Sequence, residues 1–286
     1  MLVTLIATIH RPAAIAIVQQ LAIWLLAQGH AVRMAPSLAQ VRGFACCTWD
    51  EGEAMVGADL AIAVGGDGTM LGAVRTAAPH RVPVLGVNAG ALGFLTELSP
   101  EELPAFLPRI VAGDYALETR LLLLATIRRG DTEVGEFLAL NDIVVRQGAT
   151  GRLINLTVTV AESYLGHFAA DGLILSTPTG STAYGLSAGG PIVHPATAAL
   201  VLAPICPHSL SFRPMVIPST DSVTILCEGN QLDDEMMLTA DGQDPQLVLA
   251  GDRVIVRAAP DTARLVKFSH FSFYDRLREK LQWGGG

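Results

Sequence analysis

The feature that most constrains the fold is a short apolar run, Leu60 to Val64, that ends in Gly65-Gly66-Asp67-Gly68-Thr69. The run is rich in β-forming residues, and a helical pattern begins after it at Met70. A strand, a glycine turn and a helix in this order present backbone N–H groups and the positive end of a helix to a phosphate. We expect the glycines to allow positive φ angles and a close approach of the backbone.

Asp67 is unusual in such a loop because a phosphate repels a nearby carboxylate. Three roles would resolve this conflict: the carboxylate binds a metal, holds the backbone, or accepts a proton from a nucleophile. Gly65, Gly66, Gly68 and Thr69 are the candidate phosphate-binding residues of the same loop. The combination indicates phosphoryl chemistry.

Composition excludes several classes of protein. With 286 residues and 50% hydrophobic content, the chain is long enough for two domains. A net charge of −8 argues against non-specific binding of nucleic acid. The most apolar stretch, Ala13 to Ala27, is interrupted by Gln19 and Gln20 and is shorter than the ~20 residues of a membrane-spanning helix. We therefore predict no nucleic-acid partner and no membrane partner.

The cysteines and the N-terminus indicate a cytoplasmic protein. Cys46, Cys47, Cys206 and Cys227 lack the paired spacing of a metal site, and reduced thiols explain them best. The segment from Met1 to Ile9 has no positively charged start and no small-residue cleavage site, so it resembles a buried strand more than a signal peptide.

The first hundred residues alternate between strand and helix patterns. Strands are predicted near residues 2–9, 31–34, 60–64 and 82–87, with helices from Pro12 to about Gln28 and from Met70 to Ala78. This alternation predicts a Rossmann-like, three-layer α/β domain with a parallel sheet. Glycine-rich loops follow two neighbouring strands, so both loops are expected to face one crevice at the carboxyl edge of the sheet.

After Pro100 the pattern changes to short β-rich runs separated by turn residues. This pattern predicts a mostly antiparallel, sandwich-like β domain. The last predicted strand is Arg264 to Phe268, and an amphipathic helix is predicted from Tyr274 to Leu281. The predicted domains are residues 1–100, 101–268 and a helical tail over 269–286.

Several phosphate-binding signatures are absent from the sequence. Neither Lys267 nor Lys280 is followed by Ser or Thr, so there is no Walker A loop. No G-x-G-x-x-G sequence follows a predicted strand, and the protein-kinase motifs are missing. Phosphate charge must therefore be offset by backbone amides, arginines or a divalent ion.

A second dense motif runs from Asp171 to Pro191 and is crowded with glycines and hydroxyl side chains. Such residues offer many hydrogen-bond donors with little bulk, which suits the recognition of sugar hydroxyls and phosphates. Tyr184 is placed to stack on a base or a nicotinamide ring. A tight turn network, with hydroxyls that cap a helix near Thr182, explains the same residues equally well.

Together these segments resemble the NAD kinase family of the bacterial and archaeal type. The resemblance rests on six segments, in order along the chain: residues 65–69, Asn88 to Thr96, Asn141-Asp142, Asp171 to Pro191, Pro207 to Pro214, and Asp241-Gly242-Gln243. The glycine loop alone is moderately specific because lipid kinases and phosphofructokinases carry related loops. The Asp171–Pro191 block is far more specific.

The resemblance implies transfer of a phosphoryl group from ATP or polyphosphate to the 2′-hydroxyl of the adenosine ribose of NAD, which gives NADP. Asp67 matches the family's proton acceptor. A divalent cation, Mg²⁺ by preference, is expected to bridge donor phosphate oxygens, and no protein metal ligand is assigned. The partners implied are NAD and ATP, and a homodimer or homotetramer is implied as well.

The resemblance also implies the residues that contact NAD. They are Asp67, Gly68, Asn141, Asp142, Arg152, Asp171, Thr182, Ala183, Tyr184, Gly185, Leu186, Ser187 and Gln243. From the residues alone, an Asx turn before a strand is the favoured interpretation of Asn141-Asp142, and a hairpin turn is the alternative for Gln243. His194 and His208 lie beside prolines and are interpreted as structural.

Two positions depart from the family's usual pattern. Asp142 stands where the family often has Glu, which shortens the reach of the carboxylate. Ala169 stands where many relatives have Arg, which removes a cation near the dinucleotide.

Two rival hypotheses for the function are a kinase that acts on a lipid or a sugar and a catalytically silent NAD-binding regulator.

Overall fold

The computed structural model divides the chain into two compact units. The first unit comprises Met1–Thr119 and Ala263–Gly286, and the second comprises Arg120–Thr262. The structure describes residues 1–40, 47, 53–90, 93–148, 153–209, 211–228, 235–268 and 272–283.

The first unit alternates strands and helices as the sequence predicts. Its elements are β1 (Leu2–Ala7), α1 (Pro12–Ala27), β2 (Ala31–Met34), α2 (Pro36–Gln40), β3 (Leu60–Gly65), α3 (Asp67–Ala77), β4 (Val84–Asn88), α4 (Leu103–Ala112) and β5 (Ala116–Arg120). Helix α1 begins at a proline, which suits the first helical turn, and Gly29 follows its end with a φ of 77°.

The second unit is built almost entirely of strands. They are β6 (Leu123–Arg129), β7 (Thr132–Ala139), β8 (Asp142–Gln147), β9 (Ile154–Val160), β10 (Ser163–Ala170), β11 (Gly172–Ser176), β12 (Ala199–Ile205), β13 (Met215–Pro218), β14 (Val223–Glu228), β15 (Met236–Ala240), β16 (Gln243–Val248) and β17 (Arg253–Ala258). A short helix, α5 (Tyr184–Ser187), lies between β11 and β12. The chain then continues into β18 (Ala263–Lys267) and α6 (Phe273–Leu281).

The sheet of the first unit has the order β2-β1-β3-β4-β18-β5. Strands β1 to β4 pair in parallel, and β18 joins them in parallel with Leu265 opposite Val84. The predicted strand near residues 264–268 therefore exists, but it lies in the first unit and not in the β-rich domain. The predicted boundary near residue 100 also falls inside the first unit, since α4 packs in the core of that unit.

Helices cover both faces of this sheet. On β3, Leu60, Ile62 and Val64 belong to the core that also contains the buried face of α1. The alternate residues Ala61 and Ala63 point to the opposite face, where α3 packs. On that side a Cβ at Gly86 would lie 2.8 Å from the sulfur of Met70, so glycine lets α3 approach closely. The three-layer α/β prediction is confirmed.

The second unit is a β sandwich. One sheet has the order β10-β9-β14-β17-β6-β7 and the other has the order β13-β12-β11-β8-β15-β16. Strand pairs within these sheets, such as β9 with β10, β8 with β11 and β6 with β17, are antiparallel. A single buried cluster draws residues from both sheets, such as Val158 and Val256 from one and Val145 and Leu173 from the other. The sandwich-like prediction is confirmed as well.

No described helix combines the length and the apolar composition needed to cross a membrane.

Candidate functional site

The glycine loop of the first unit connects the buried strand β3 to helix α3. The helix begins at Asp67, three residues earlier than predicted, because the carbonyl of Gly66 accepts hydrogen bonds from the N–H groups of Thr69 and Met70. Asp67 therefore lies in the first helical turn, where the helix dipole favours a negative charge. The loop is shorter and more helical than its glycine content suggested.

The glycines of this loop serve close packing and not unusual φ angles. The glycines with positive φ in the described part of the chain do not include Gly65, Gly66 or Gly68, so that expectation was wrong. Gly66 has an extended backbone, with a φ of −113°. A Cβ at Gly65 would overlap the side chain of Thr69, so glycine allows the loop to pack closely on this residue. The close approach of the loop to a phosphate stays a prediction.

The Asp67 carboxylate is bound by the segment that follows β4. Its Oδ2 accepts a hydrogen bond from the N–H of Phe94 at 2.9 Å, and its Oδ1 accepts one from the N–H of Leu95 at 3.0 Å. A Cβ at Gly93 would overlap Oδ1, so only glycine fits there. The segments after these two neighbouring strands lie side by side, as predicted, because β3 and β4 are adjacent and parallel. A crevice that both segments face stays a prediction.

These contacts leave Asp67 available for chemistry. The side chain is partly exposed, and each carboxylate oxygen has one bond from a backbone N–H and a further lone pair. Of the three roles considered for Asp67, holding the backbone is therefore present in the structure. The two backbone N–H groups fix the direction of the carboxylate. Its remaining lone pairs are the positions at which it can accept a proton.

In the second unit, Asn141 and Asp142 lie at the start of β8 and are held by Asp241. The Asp241 carboxylate accepts hydrogen bonds from the N–H groups of Leu140, Asn141 and Asp142 at 3.0, 2.7 and 3.2 Å. Asp241 and Gly242 both have positive φ, 54° and 67°, as in the type I′ turn that Asp-Gly favours. This turn joins β15 to β16 and places the Asp241 side chain under the Asn141-Asp142 backbone.

The environment of Asp142 changes its ionisation. Burial, and to a smaller extent the nearby charge of Asp241, together raise the pKa of the Asp142 carboxyl to about 7. The residue is only 4% exposed. Near neutral pH, Asp142 is thus able to act as a donor as well as an acceptor.

The loop after β11 packs against Asn141 from the other side. The Asn141 carbonyl accepts from the N–H of Thr177 at 2.9 Å, and the Thr177 hydroxyl donates to the Leu140 carbonyl at 2.6 Å. A Cβ at Gly180 would overlap the Asn141 backbone. Asn141 is consequently held between this loop and Asp241.

Most hydroxyls of the dense motif bond to backbone atoms of the same loop. Ser181 donates to the Pro178 carbonyl at 2.6 Å and accepts from the N–H of Val193 at 2.9 Å, while Thr182 donates to the Thr179 carbonyl at 3.2 Å. Neither the short helical turn at Gly180–Thr182 nor α5 has a side-chain cap. The turn-network interpretation therefore fits these hydroxyls, but its helix cap is absent from this described loop.

A cavity of about 380 Å³ opens beside these residues, and we call it the Asn141 cavity. Four predicted site residues line it together: Asn141, Asp142, Ala183 and Tyr184. Tyr184 is 43% exposed and begins α5. The cavity thus combines an amide, a buried carboxyl and an accessible aromatic ring.

Five further residues line the cavity without having been predicted as site residues. They are Val144, Arg146, Thr239, Asp241 and Gly242. A signal for two of them was present in the sequence: residues 142, 144 and 146 alternate along β8 and so point to the same face. Asp241 and Gly242 had been noted as part of the resemblance but were not assigned a role.

The other predicted NAD contacts of the second unit lie outside the cavity lining. Asp171 precedes β11, and its N–H donates to the Ile205 carbonyl. Thr182, Gly185, Leu186 and Ser187 surround Tyr184 in sequence, and Gln243 follows the Asp241-Gly242 turn. Arg152 lies outside the described residues. Gly68, in the first unit, is exposed beside Asp67.

The described residues contain no group of three or more His, Cys, Asp or Glu side chains arranged to hold a metal ion.

Comparison with known proteins identifies the family. The model of the ATP-NAD kinase N-terminal domain matches residues 3–115, and that of the ATP-NAD kinase C-terminal domain matches residues 140–268. The NAD kinase of Syntrophotalea carbinolica is 42% identical over 275 residues, which is 96% of each chain. The chain belongs to the NAD kinase family. The NAD kinase of Geotalea daltonii is 40% identical and covers 99% of this chain and 98% of its own length.

Solved structures agree with this assignment. Yeast NADH kinase, determined in complex with NADH, superposes with a TM-score of 0.92 at 26% identity, over 100% of this chain and 88% of that chain. An NAD kinase from Archaeoglobus fulgidus, determined with ATP, shares the fold with a TM-score of 0.75 at 24% identity, over 99% of both chains. The family phosphorylates NAD to NADP, so the kinase activity predicted from the sequence is confirmed.

Proposed function

We propose that this chain transfers the terminal phosphoryl group of ATP to the 2′-hydroxyl of the adenosine ribose of NAD, with Asp67 as the proton acceptor. One observation carries the proposal: a partly exposed carboxylate, fixed by the N–H groups of Phe94 and Leu95, stands in the first turn of the helix that follows the glycine loop.

The proposed step balances without a covalent intermediate on the protein. The 2′-oxygen of the ribose attacks the terminal phosphorus of ATP, and its proton passes to the Asp67 carboxylate. The bond from that phosphorus to the bridging oxygen breaks, and the electron pair leaves with ADP. General-base assistance of this kind contributes roughly 10²–10⁴-fold, and positioning of the reactants supplies much of the rest.

Gly65, Gly66, Gly68 and Thr69 are proposed to face the phosphates in this step. The backbone N–H groups of Gly66 and Asp67 lie at the start of α3, at the positive end of the helix dipole. Such groups, together with the positive end of the helix, attract a phosphate.

The second unit is proposed to bind the dinucleotide at the Asn141 cavity. The Asn141 amide offers a donor and an acceptor to an adenine edge, and the Asp142 carboxyl meets a ribose hydroxyl. Tyr184 presents an exposed ring for stacking. The exposed Arg146, which lines the cavity, supplies a cation for the pyrophosphate.

The remaining predicted contacts stay part of this proposal. They are Gly68, Arg152, Asp171, Thr182, Ala183, Gly185, Leu186, Ser187 and Gln243. The cytoplasmic location and the homodimer or homotetramer are proposed on the same resemblance, and light scattering of the purified protein would test the oligomer.

A divalent cation fits the reaction as a complex with the donor. The described residues lack a cluster of metal-ligating side chains, so ATP oxygens would provide most of the ligands of Mg²⁺. When bound, the ion neutralises charge on the transferring phosphoryl group. Excess chelator should therefore abolish turnover, and added Mg²⁺ should restore it.

The decisive experiment incubates the purified chain with ATP, Mg²⁺ and a panel of acceptors: NAD, NADH, a sugar phosphate and a long-chain lipid alcohol. The proposal expects NADP or NADPH from the dinucleotides and no phosphorylation of the other acceptors. Phosphorylation of the sugar or the lipid alone would overturn the assigned acceptor. Binding of NAD without any turnover would make the chain a silent regulator.

A further inference from the structure

The C-terminal helix α6 carries a buried arginine that the proposed reaction does not use. Arg276 is 4% exposed, although α6 is short and otherwise largely polar. The helix is fixed at its start by a capping box in which Ser272 and Asp275 bond to each other's backbone N–H. Both matched family segments end before this helix, at residues 115 and 268.

The guanidinium of Arg276 is directed at the segment from Gly93 to Glu97. Its Nη1 donates to the carbonyls of Gly93, at 3.4 Å, and Thr96, and its Nη2 donates to Glu97 Oε2 at 2.8 Å. A planar fork of this kind binds several acceptors in one fixed geometry, which a lysine cannot reproduce.

Glu97 completes the attachment of this segment to the C-terminal part of the chain. Its Oε2 also accepts from Lys267 Nζ at 2.7 Å, and its Oε1 accepts from the N–H of Phe268 at 2.8 Å. The buried carboxylate is thus compensated by two cations and a backbone amide. Breaking such a buried network by removing one partner is costly because a charge is then left uncompensated.

The same segment holds Asp67 from its other side. The N–H groups of Phe94 and Leu95 bond to the Asp67 carboxylate, while the flanking carbonyls of Gly93 and Thr96 bond to Arg276. The N–H of Gly93 further bonds to the hydroxyl of Thr96 at 3.2 Å, which closes the segment into a tight turn. Arg276 and Asp67 are therefore connected through a single short turn.

We propose that Arg276 is a positioning residue for Asp67. It fixes the turn from Gly93 to Glu97, and this turn sets the direction of the carboxylate. The inference rests on the proposed role of Asp67 as the proton acceptor. Displacement of a reacting group by about 1 Å can reduce turnover on the order of 10²-fold, so a remote residue that controls this turn has a measurable effect on rate.

The test compares Arg276→Gln and Arg276→Lys with the matched control Arg278→Gln. Arg278 lies on the same helix, but its side chain is 65% exposed and forms a local ion pair with Asp275, three residues earlier. Steady-state kinetics with NAD and ATP give kcat and KM, and circular dichroism and a thermal melt show whether each variant is folded at the assay temperature.

Arg276→Gln should lower kcat by roughly 10-fold or more, with KM for NAD within about twofold. Arg276→Lys keeps the charge but loses the fork, so it should recover part of the lost kcat. Arg278→Gln should leave both constants unchanged. Hydrogen exchange should show faster exchange at Phe94 and Leu95 in Arg276→Gln, with β3 still protected.

A folded Arg276→Gln protein with the kcat of the parent would overturn the inference. Loss of folding in both Arg276 variants would also overturn it, because the residue would then serve stability alone. Asp67→Asn is assayed alongside to separate this failure from that of the proposed function. If Asp67→Asn is fully active, the role of Asp67 fails; if only Arg276→Gln is fully active, the positioning role fails.

Discussion

Each unit uses an aspartate carboxylate to hold the backbone of a neighbouring segment, but the two carboxylates differ in exposure. Asp67 accepts from two N–H groups, those of Phe94 and Leu95, and stays partly exposed. Asp241 accepts from three N–H groups and is 9% exposed.

Asp67 and Asp241 differ in role because their surroundings differ. The Asp67 carboxylate is held in place and still reachable, which suits a group that exchanges a proton with a substrate. The Asp241 carboxylate is bonded to three backbone N–H groups. Burial of Asp142, together with the smaller effect of the Asp241 charge, raises the pKa of Asp142 to about 7. The enclosed Asp241 carboxylate thus fixes the backbone that lines the Asn141 cavity.

The largest expected effect is a loss of kcat on substitution of Asp67. Asp67→Asn should lower kcat by ~10²–10⁴-fold and leave the dissociation constant of NAD within a few-fold, because the amide accepts no proton. Single-turnover kinetics and NAD titration measure the two quantities. The control is Asp114→Asn, an exposed residue of the same unit that pairs with Arg109. Turnover at the parental rate in Asp67→Asn would remove the proposed base.

The next effect concerns the buried carboxyl pair. Since the pKa of Asp142 is raised to about 7 in the folded protein, the folded state binds more protons than the unfolded state between about pH 4 and pH 7. The stabilising contribution is present in full below about pH 4 and is lost as the pH rises through about 7. Asp142→Asn does not titrate, so its stability relative to the parent should increase by up to about 2 to 3 kcal/mol from pH 5 to pH 8.

Differential scanning calorimetry at pH 5 and pH 8 checks this sign through the difference in Tm between variant and parent. Asp244→Asn, an exposed position in the same hairpin, is the control and should show no such pH dependence. A difference that shrinks as the pH rises would show that the Asp142 carboxyl is not destabilised by its surroundings.

A smaller effect is expected at Asp241 itself. Asp241→Asn should keep the left-handed turn, since Asn tolerates positive φ. In the parent, however, both carboxylate oxygens of Asp241 accept from backbone N–H groups, and in the variant an NH₂ group replaces one of these oxygens. The Asn141-Asp142 backbone should loosen, and NAD should bind roughly 10-fold more weakly because a buried donor loses its partner. Isothermal titration with NAD measures this change. An unchanged affinity would mean that the cavity keeps its shape without the Asp241 charge.

The smallest effect is expected at the aromatic ring. Tyr184→Ala should weaken NAD binding by about 3- to 10-fold and change KM for ATP less, since stacking contributes ~0.5–1.5 kcal/mol. Tyr164→Ala is the matched control: its side chain is 68% exposed on the same unit, outside the cavity lining. A larger change in KM for ATP than in NAD affinity would reassign Tyr184 to the donor.

Local sequence patterns predicted the positions of strands and helices better than they predicted which strands pair. The strand near residues 264–268 was recognised from its own residues, but its pairing with β4 was missed, because a strand's pattern does not name its neighbour. Strand β12, Ala199–Ile205, was not predicted at all, although six of its seven residues are buried. Pro204 lies inside this strand. Because proline has no backbone N–H to donate to a neighbouring strand, a proline in the sequence argues against predicting a strand interior.

In the candidate site as well, residues in local motifs were predicted, whereas a residue with contacts remote in the chain was missed. Asp67 and Tyr184 were predicted from motifs in which glycines, a carboxylate and an aromatic ring are close in sequence. Asn141 and Asp142 were predicted from the family resemblance. Arg276 was not found, because its contacts join residues about 180 positions apart along the chain. A lone arginine on an amphipathic helix ordinarily remains in solvent.

The sequence by itself determined the chemistry that this protein can perform, since the glycine loop, its aspartate and the Asp171–Pro191 block are continuous segments with local meaning. Tertiary structure alone decided which backbone groups each aspartate binds, which carboxyl is buried, and how the C-terminal helix reaches the turn beside Asp67. The physical reason is that hydrogen bonding and desolvation depend on distances between segments remote in the chain, and these distances exist only after the sheets have paired and packed.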